Sequence, residues 1–320
     1  MGGSSVNGGV LITGGAGFIG AHLARHLTAR RADVVVIDDL RVEPMMSPEG
    51  IGKFLEKPLL DMTAADLDGV GLVYHLASHK SVPRSFTHPL DYLDNVDSGR
   101  HLLALCAAAG VKRVIVGSTC EVYGQAKTLP TSEDAPLSPR SPYAASKVAL
   151  EMLARAYQRS ADGTEVVIVR FFNVYGPGER PDALVPRLCA NLLLKGELPV
   201  EGTGAQRRDF TYITDVVRKL DGLAGSRLAP VVNLGSGRSY SVSEIVELLQ
   251  TTAPGTGVVH KRGRTNEISE FRAATALQER LLDDAAPTVG IADGVRQTLA
   301  WWATRDLDDI TRRLLKEESD

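Results

Sequence analysis

A tyrosine and a lysine are spaced so that they can act together on a substrate hydroxyl. Tyr143-Ala-Ala-Ser-Lys147 has the pattern of a helix, and the i, i+4 spacing places both side chains on one face. A lysine cation beside a phenol favours the phenolate and lowers the phenol pKa from its usual value of about 10. The phenolate can take a hydroxyl proton while hydride leaves the carbon. Thr119, at the end of a predicted strand, can hold the same oxygen.

A glycine-rich loop near the start of the chain has the spacing of a dinucleotide-binding turn. The segment 10–20 reads VLITGGAGFIG and contains G-x-x-G-x-x-G at Gly14, Gly17 and Gly20. The loop follows a predicted strand and opens a predicted helix, so its backbone can approach a pyrophosphate at the positive end of that helix. Asp38 ends the second predicted strand, where a carboxylate binds the adenosine ribose and favours NAD. Because Arg41 lies close by in the sequence, NADP remains the alternative cofactor.

The elements that must position these residues alternate between short apolar runs and helical patterns. Strands are predicted at 10–13, 34–38, 71–76, 114–118, 166–171 and 231–234, and helices at 18–31, 90–109, 143–160, 241–249 and 293–316. This alternation predicts an α/β fold with a Rossmann-type doubly wound parallel sheet and a smaller C-terminal substrate-binding lobe. We expect the NAD-binding domain at residues 1–175 and the nucleotide-sugar lobe mainly at 176–320, with the strand at 231–234 returning to the sheet.

Length and composition exclude several classes of protein. The 320 residues carry 36 Lys+Arg against 39 Asp+Glu, and this near-neutral balance excludes a broadly cationic nucleic-acid binder. No run approaches about 18 apolar residues without a charge, so we expect no membrane span. Residues 1–9 lack the features of a secretory signal, and the three cysteines lack metal-ligand spacing. We therefore predict a cytoplasmic protein without a bound metal.

The glycine loop, Thr119, Tyr143 and Lys147 together resemble the nucleotide-sugar epimerase/dehydratase family of extended short-chain dehydrogenases/reductases. Further matches run along nearly the whole chain: HLAS at 75–78, NV at 95–96, VYG at 122–124, RFFNVYGP at 170–177 and RDFxYIxD at 208–215. The resemblance implies a bound NAD and a nucleoside-diphosphate sugar held between two lobes. It also implies a homodimer formed through the helices predicted at 90–109 and 143–160.

The resemblance also assigns residues to the cofactor and to the substrate. Besides the glycines and Asp38, the expected NAD contacts are Phe18, Ile19, Asp39, Asp61, Met62, Leu76, Ala77, Ser78, Asn95, Ser118, Tyr143 and Lys147. The expected nucleotide-sugar contacts are Arg84, Ser85, Asn173, Arg208 and Arg264. Arginine suits this role because a guanidinium pairs with phosphate through two hydrogen bonds. For Arg264, in the segment least like the family, the alternative is a solvated surface charge.

The residues after Thr119 indicate which step comes after oxidation of the sugar. Members of the family first oxidise carbon 4 to a ketone, and its 4,6-dehydratases carry Thr-Asp-Glu where this chain has Thr119-Cys120-Glu121. We expect Glu121 to remove the proton on carbon 5, because a free glutamate is ionised near neutrality. Cys120, mostly a thiol at pH 7, would protonate the departing 6-hydroxyl in place of aspartate. The alternatives are a structural glutamate and a buried packing cysteine.

At two positions where 4,6-dehydratases have aspartate, this chain has another residue, and both positions affect the expected last step of the reaction. Pro83, like Cys120, stands where 4,6-dehydratases often have aspartate, which brings hydride delivery to carbon 6 into question. If hydride returns to carbon 4, the product keeps its 4-hydroxyl and gains a 5,6-double bond. The whole chain resembles the branch of the family that dehydrates UDP-N-acetylglucosamine in this way during antibiotic biosynthesis, and we predict such a lyase.

Other reactions stay open at this point. The alternatives within the family are a 4,6-dehydratase, a UDP-glucuronate decarboxylase, which typically carries Thr-Ser-Glu, and a 4-epimerase. The last two, with a UDP-glucuronate substrate, need a cation near carbon 6, for which Arg84 is the basic candidate. A non-catalytic NAD-sensing protein is disfavoured because Tyr143 and Lys147 are both present.

Overall fold

The chain is described by a computed structural model that covers residues 8–30, 33–160, 164–226, 229–263, 267–282 and 288–319. Its strands are β1 (Gly9–Thr13), β2 (Val34–Asp38), β3 (Lys53–Glu56), β4 (Val70–His75), β5 (Arg113–Thr119), β6 (Glu165–Phe171), β7 (Asn173–Tyr175), β8 (Glu197–Glu201), β9 (Arg207–Tyr212), β10 (Val231–Leu234), β11 (Ser239–Ser241) and β12 (Gly257–Lys261). Its α-helices are α1 (Phe18–Thr28), α2 (Val82–Thr87), α3 (Asp94–Ala108), α4 (Pro142–Ser160), α5 (Leu184–Lys195), α6 (Ile213–Gly225), α7 (Val242–Thr252), α8 (Ala276–Leu282), α9 (Ile291–Trp302) and α10 (Leu307–Ser319). Single 3-10 turns cover Leu59–Asp61, Ala64–Leu67, Pro89–Leu93 and Cys120–Tyr123.

A seven-stranded sheet in the order β10-β6-β5-β4-β1-β2-β3 forms the centre of the structure. Every neighbouring pair of strands in it is parallel. The chain order reverses between β1 and β4, because β2 and β3 extend the sheet to one side and β4 to β6 extend it to the other. Ligands bind beyond the carboxyl ends of the strands at such a switch point. The predicted Rossmann-type doubly wound fold is confirmed.

Different helices cover the two faces of this sheet. Side chains that alternate along a strand divide between two hydrophobic clusters, so that Ile12 belongs to one and Leu11 to the other. The first cluster includes buried residues of α1 and α6, and the second includes buried residues of α3 and α4. All residues of β4 and β5 are buried, which explains why these strands read as continuous apolar runs. Both strands therefore lie in the interior of the sheet, with packed side chains on each face.

Two smaller sheets build most of the second lobe. One has the order β11-β9-β7, and the other pairs β12 with β8. Strand β7 begins two residues after β6, whereas β10 returns to the large sheet and pairs with β6. The region after residue 175 therefore contributes to both lobes, and the division at that residue stays a prediction.

The structure corrects several element boundaries. The helix predicted at 293–316 is two helices, α9 and α10, because Asp306 accepts hydrogen bonds from the Asp308 and Asp309 amides and starts a new helix there. The helix predicted from residue 90 begins at Asp94, after the 3-10 turn. The helix after Ser241 has the capping box that its sequence indicates, with Ser241 and Glu244 bonded reciprocally. Among the described residues, no helix is long and apolar enough to cross a membrane.

The close approach of α3 to α4 gives a test of this packing. A Cβ added at Gly99 of α3 would lie 2.3 Å from Cδ1 of Leu150 on α4. We predict that Gly99→Ala lowers the free energy of unfolding by about 1–3 kcal/mol through overpacking, although alanine favours helix by about 1 kcal/mol. Urea denaturation measures the change. Gly257→Ala is the control, since no atom of the described residues lies within 4 Å of its added Cβ. Equal effects in both variants would contradict the packing.

Candidate active site

The glycine loop connects β1 to α1 and is shaped by close backbone contacts. Gly14 has φ +70°, and a Cβ there would lie 2.5 Å from the Ala77 amide nitrogen, while one at Gly20 would lie 2.2 Å from the Gly14 carbonyl oxygen. Gly17, the N-cap of α1, is exposed, and a Cβ there would meet only the Gly14 carbonyl within 4 Å among the described atoms. No side chain caps α1 and its first turn has no acidic residue. The first amides of α1 are therefore suited to a pyrophosphate.

Asp38 is fixed beside this loop at the carboxyl end of β2. Its two carboxylate oxygens accept hydrogen bonds from the Ala16 and Leu40 amides, each at 3.0 Å. Burial raises the pKa of Asp38, and these backbone hydrogen bonds oppose the rise. Arg41 pairs with Asp39 at 3.2 Å and with Asp94 at 3.1 Å, so two carboxylates already balance its charge. This arrangement fits an adenosine ribose and favours NAD over NADP.

The loop after β4 forms a second wall of the cofactor site. The Leu76 and Ala77 amides donate to the backbone carbonyl and side-chain hydroxyl of Thr13, at 3.1 and 3.4 Å. Ser78 is exposed at the rim, and its hydroxyl donates to Asn95 at 3.2 Å. Phe18 and Ile19, the first residues of α1, pack partly buried against the core below.

Asn95 is fully buried and holds this loop from below. Its carbonyl oxygen accepts from Ser78 and from the His79 amide, and its amide group donates to the His79 carbonyl and to Ser146 of α4. These four bonds use the hydrogen-bonding capacity of the side chain. The structure therefore places Asn95 as a support of the cofactor loop. Asp61 is exposed, whereas Met62 is buried in the core and its carbonyl oxygen bonds His101 at 2.9 Å.

Three successive residues of β5 meet three turns of α4 at the catalytic end of the sheet. The Lys147 ammonium donates to the Gly117 carbonyl at 3.0 Å, and the Ser118 hydroxyl donates to Glu151 at 2.5 Å. Thr119 lies close enough to Tyr143 for its hydroxyl to lower the pKa of the phenol. Thr119, Tyr143 and Lys147 are all buried, so the predicted trio is brought together at one point.

Burial dominates the electrostatics of this trio. It raises the pKa of the Tyr143 phenol, against the effect of the Thr119 hydrogen bond, and it lowers the pKa of Lys147 to about 8. The sequence argument that Lys147 lowers the Tyr143 pKa is not confirmed, because burial raises that pKa and the Lys147 ammonium donates to the Gly117 carbonyl. The ring of Tyr143 also meets Tyr92 edge-on, with centroids 6.1 Å apart. Tyr92 lies in the 3-10 turn before α3, and its isolated position in the sequence gave no signal of this contact.

The turn after β5 carries the remaining reactive groups. Thr119 caps it, and its hydroxyl oxygen accepts a hydrogen bond from the Glu121 amide at 3.2 Å. Cys120 is buried, and burial raises the pKa of its thiol well above the usual range, so it carries a proton at neutral pH. Glu121 follows Cys120 directly in this turn, and its charge raises the pKa of both the Cys120 thiol and the Tyr143 phenol.

The predicted substrate contacts fall into two groups. Asn173 begins β7 and Arg208 lies on the adjacent β9, so one small sheet carries both. The side-chain oxygen of Asn173 is buried and has no hydrogen-bond partner among the described residues, which suits a donor group of a ligand. Arg208 lies over the Phe271 ring and bonds Glu267 at 3.2 Å, and its charge acts on Cys120.

The second group lies on α2. Ser85 is fully buried, and its hydroxyl donates to the Val82 carbonyl at 2.6 Å. Arg84 is half-buried and pairs with Asp91 at 3.7 Å. Burial of Ser85 makes it a support of α2 rather than an open contact surface. Arg264 lies outside the described residues.

The pattern of the NAD dependent epimerase/dehydratase family matches residues 10–235. This chain belongs to that family. The matched range begins in β1 and ends just after β10, and it includes the glycine loop and the Tyr143–Lys147 helix. Among relatives in the family, the uncharacterized UDP-glucose epimerase YtcB of Bacillus subtilis is 33% identical over 310 residues, covering 91% of this chain and 97% of that protein.

Two solved structures of epimerase/dehydratase proteins are similar over nearly the whole length. TunA, an NAD-dependent NDP-hexosamine 5,6-dehydratase involved in tunicamycin biosynthesis, is 68% identical, covers 94% of this chain and 100% of its own, and has a TM-score of 0.93. MoeE5, solved with UDP-glucuronic acid and NAD, is 33% identical, covers 92% and 99%, and has a TM-score of 0.83. The predictions of family, NAD dependence and enzyme class are confirmed, while the roles of individual residues stay predictions.

Asp38 gives a direct test of the cofactor site. We predict that Asp38→Asn weakens NAD binding on the order of tenfold, because a hydrogen bond to a charged group contributes about 1.5–3 kcal/mol. Removing the charge should also narrow the preference for NAD over NADP. Calorimetry on protein freed of nucleotide measures both affinities. Asp33→Asn, at the exposed other end of β2, is the control; unchanged affinities in Asp38→Asn would show that the carboxylate does not face the ribose.

Proposed function

We propose that this protein is an NAD-dependent nucleotide-sugar dehydratase that forms a 5,6-double bond and leaves the carbon 4 hydroxyl in place. The observation that carries the proposal is that Cys120 and Glu121 lie in the turn that follows β5 and that both act electrostatically on the buried Tyr143 phenol. The name of TunA, a 5,6-dehydratase 68% identical to this chain, supports the same reaction.

In the first step, Tyr143 acts as the base toward the carbon 4 hydroxyl in its phenolate form, which the positive charges of Lys147 and of bound NAD would favour. Thr119, whose hydroxyl acts on Tyr143, would hold the same substrate oxygen by a hydrogen bond. Bound NAD supplies a hydride acceptor and a positively charged ring beside these residues. Lys147, with a pKa of about 8, is mostly protonated at neutral pH and stabilises negative charge on Tyr143.

Elimination then uses the two residues after Thr119. Glu121 takes the proton on carbon 5, which the carbon 4 ketone has made acidic, and the electron pair of that C–H bond forms the 5,6-double bond. The bond between carbon 6 and its oxygen breaks, and the Cys120 thiol gives its proton to the departing hydroxide, which leaves as water. Glu121 has gained one proton and Cys120 has lost one. Transfer of a proton between these neighbours restores both, and the raised pKa of Cys120 favours that direction. The hydride taken from carbon 4 in the first step then returns to that carbon, and Tyr143 gives its proton back to the carbon 4 oxygen, which restores the hydroxyl.

The substrate we propose is UDP-N-acetylglucosamine, in an antibiotic pathway like that of TunA. The support is that TunA is described as acting on an NDP-hexosamine and that MoeE5 was solved with a UDP sugar. Asn173 and Arg208 would bind the diphosphate or the nucleoside, since they lie on adjacent strands beside the catalytic turn. We also propose that the enzyme acts in the cytoplasm, because its three cysteines are free, buried thiols.

The products formed from UDP-N-acetylglucosamine in deuterated water test this function. We expect loss of about 18 mass units, vinyl signals and an intact carbon 4 hydroxyl by NMR. We further expect Cys120→Ala to lower turnover by about 10²–10⁴-fold, the usual contribution of a general acid, and Cys120→Asp to retain more of it. A new methyl group with a carbon 4 ketone would instead identify a 4,6-dehydratase, and no mass change would refute the substrate.

We also propose a homodimer formed through α3 and α4. Apolar side chains stay exposed on and beside these helices, with Leu93 55%, Met152 43% and Leu153 38% exposed. We predict that the protein sediments at twice the chain mass of 34.3 kDa and that Met152→Glu sediments at the chain mass. Leu307→Glu changes an equally exposed apolar residue on α10 and should leave the mass unchanged. A wild-type mass of one chain would contradict the dimer.

A further inference from the structure

A third charged residue continues the catalytic face of α4. Tyr143, Lys147 and Glu151 are spaced i, i+4 and i+8, so one helical face presents all three. Glu151 is completely buried, and nothing in the proposed reaction uses it. Its position one turn beyond Lys147 puts a negative charge close to the buried ammonium.

Glu151 is held by a buried network. It accepts from the Ser118 hydroxyl at 2.5 Å and takes two parallel hydrogen bonds from Arg170, at 2.9 and 2.7 Å. Arg170 is 1% exposed and also donates to the Tyr123 hydroxyl at 2.9 Å. Tyr123 in turn donates to Asn233 of β10 at 2.6 Å. The carboxylate is therefore fixed between β5, β6 and α4.

Stability alone does not explain this arrangement. Removing two charges from water is unfavourable by several kcal/mol per ion, and apolar residues of similar volume are often as stable as a buried ion pair. A second Arg–Glu pair, Arg113 with Glu165, joins β5 to β6 at the opposite end of these strands, but there the glutamate side chain is 40% exposed. The fully buried pair is the one beside Lys147.

The charges around Lys147 indicate the role of Glu151. From β4, His75 faces Lys147, but burial lowers the pKa of this histidine to about 3, so it is neutral. From α4, Tyr143 is a neutral phenol, because burial raises its pKa. Within the described chain, Glu151 is the one negative charge found to act on Lys147, and it opposes the effect of burial.

We propose that Glu151 is a positioning residue that keeps the buried Lys147 ammonium charged, with Arg170 and Ser118 fixing the carboxylate. This inference builds on the proposed function, in which a charged Lys147 supports the Tyr143 base. Without the carboxylate, the ammonium would be buried with no opposite charge nearby and would lose its proton at lower pH.

The test is the pH dependence of turnover in Glu151→Gln, which keeps the shape of the side chain and removes its charge. Removing a negative group makes proton loss from Lys147 easier, so the alkaline limb of the kcat profile moves to lower pH. We expect a shift of about one pH unit or more, with kcat at pH 8 reduced on the order of tenfold and KM changed by less than about twofold.

Three further variants separate charge from structure. Glu151→Asp keeps the charge and should keep the alkaline limb in place even if kcat falls. Tyr123→Phe removes one hydrogen bond to Arg170 without removing a charge. Glu165→Gln breaks the Arg113–Glu165 pair at the other end of β5 and β6. Both variants should leave the alkaline limb of the kcat profile unchanged. If Glu151→Gln lowers kcat without moving the limb, or if Tyr123→Phe moves it equally, the proposal is overturned.

A measurement that needs no substrate keeps this proposal apart from the proposed function. The ¹³Cε resonance of Lys147, assigned with Lys147→Met, reports its ionisation in the folded protein directly. We expect it to titrate near pH 8 in the wild type, in line with a pKa of about 8, and lower in Glu151→Gln. A wild-type titration below about pH 7 would overturn the proposal even if Glu151→Gln does not fold. Failure of the wild type to convert any nucleotide sugar would refute the proposed function alone.

Discussion

The packing of α4 along the carboxyl end of β5 is the constraint on which the site depends. Strand β5 is buried over its whole length, so its last three residues can bond only to the groups packed against them. The Gly117 carbonyl meets Lys147, the Ser118 hydroxyl meets Glu151, and Thr119 meets Tyr143. A shift of one residue along the strand would break all three contacts at once. The reactive groups are therefore positioned by the core rather than by a loop.

The second lobe reaches the same point through β9. Asp209 is buried and accepts hydrogen bonds from the Ser236, Gly237 and Ala273 amides, at 2.8–3.0 Å, which ties β9 to the segments on both sides of it. Its neighbour Arg208 is thereby held near Cys120, whose thiol responds to the charges of both residues. Because Asp209 and Arg208 are adjacent in β9, a diphosphate bound by Arg208 would bring the sugar to the catalytic turn. The two lobes meet over the residues that follow β5.

The sequence was sufficient to predict the large sheet and the central trio, because both depend on local patterns. Apolar runs marked its strands other than β3, and Tyr143 and Lys147 were recognisable from a four-residue spacing. The small strands β7, β8, β9, β11 and β12 were not predicted, since they are short and paired with distant segments. Glu151 gave no signal, because its partners Ser118 and Arg170 are brought to it only by the fold.

The same distinction explains the error about the Tyr143 pKa. Spacing shows that two side chains share a helical face, but it does not show which group each one contacts. In the folded chain Lys147 donates to a backbone carbonyl, and burial of Tyr143 keeps the phenol neutral. Tyr143 and Cys120 therefore both hold their protons, and Glu151 opposes the effect of burial on Lys147. The proposed removal of the carbon 4 hydroxyl proton by Tyr143 would need the phenol pKa to fall, and the positively charged ring of bound NAD would lower it.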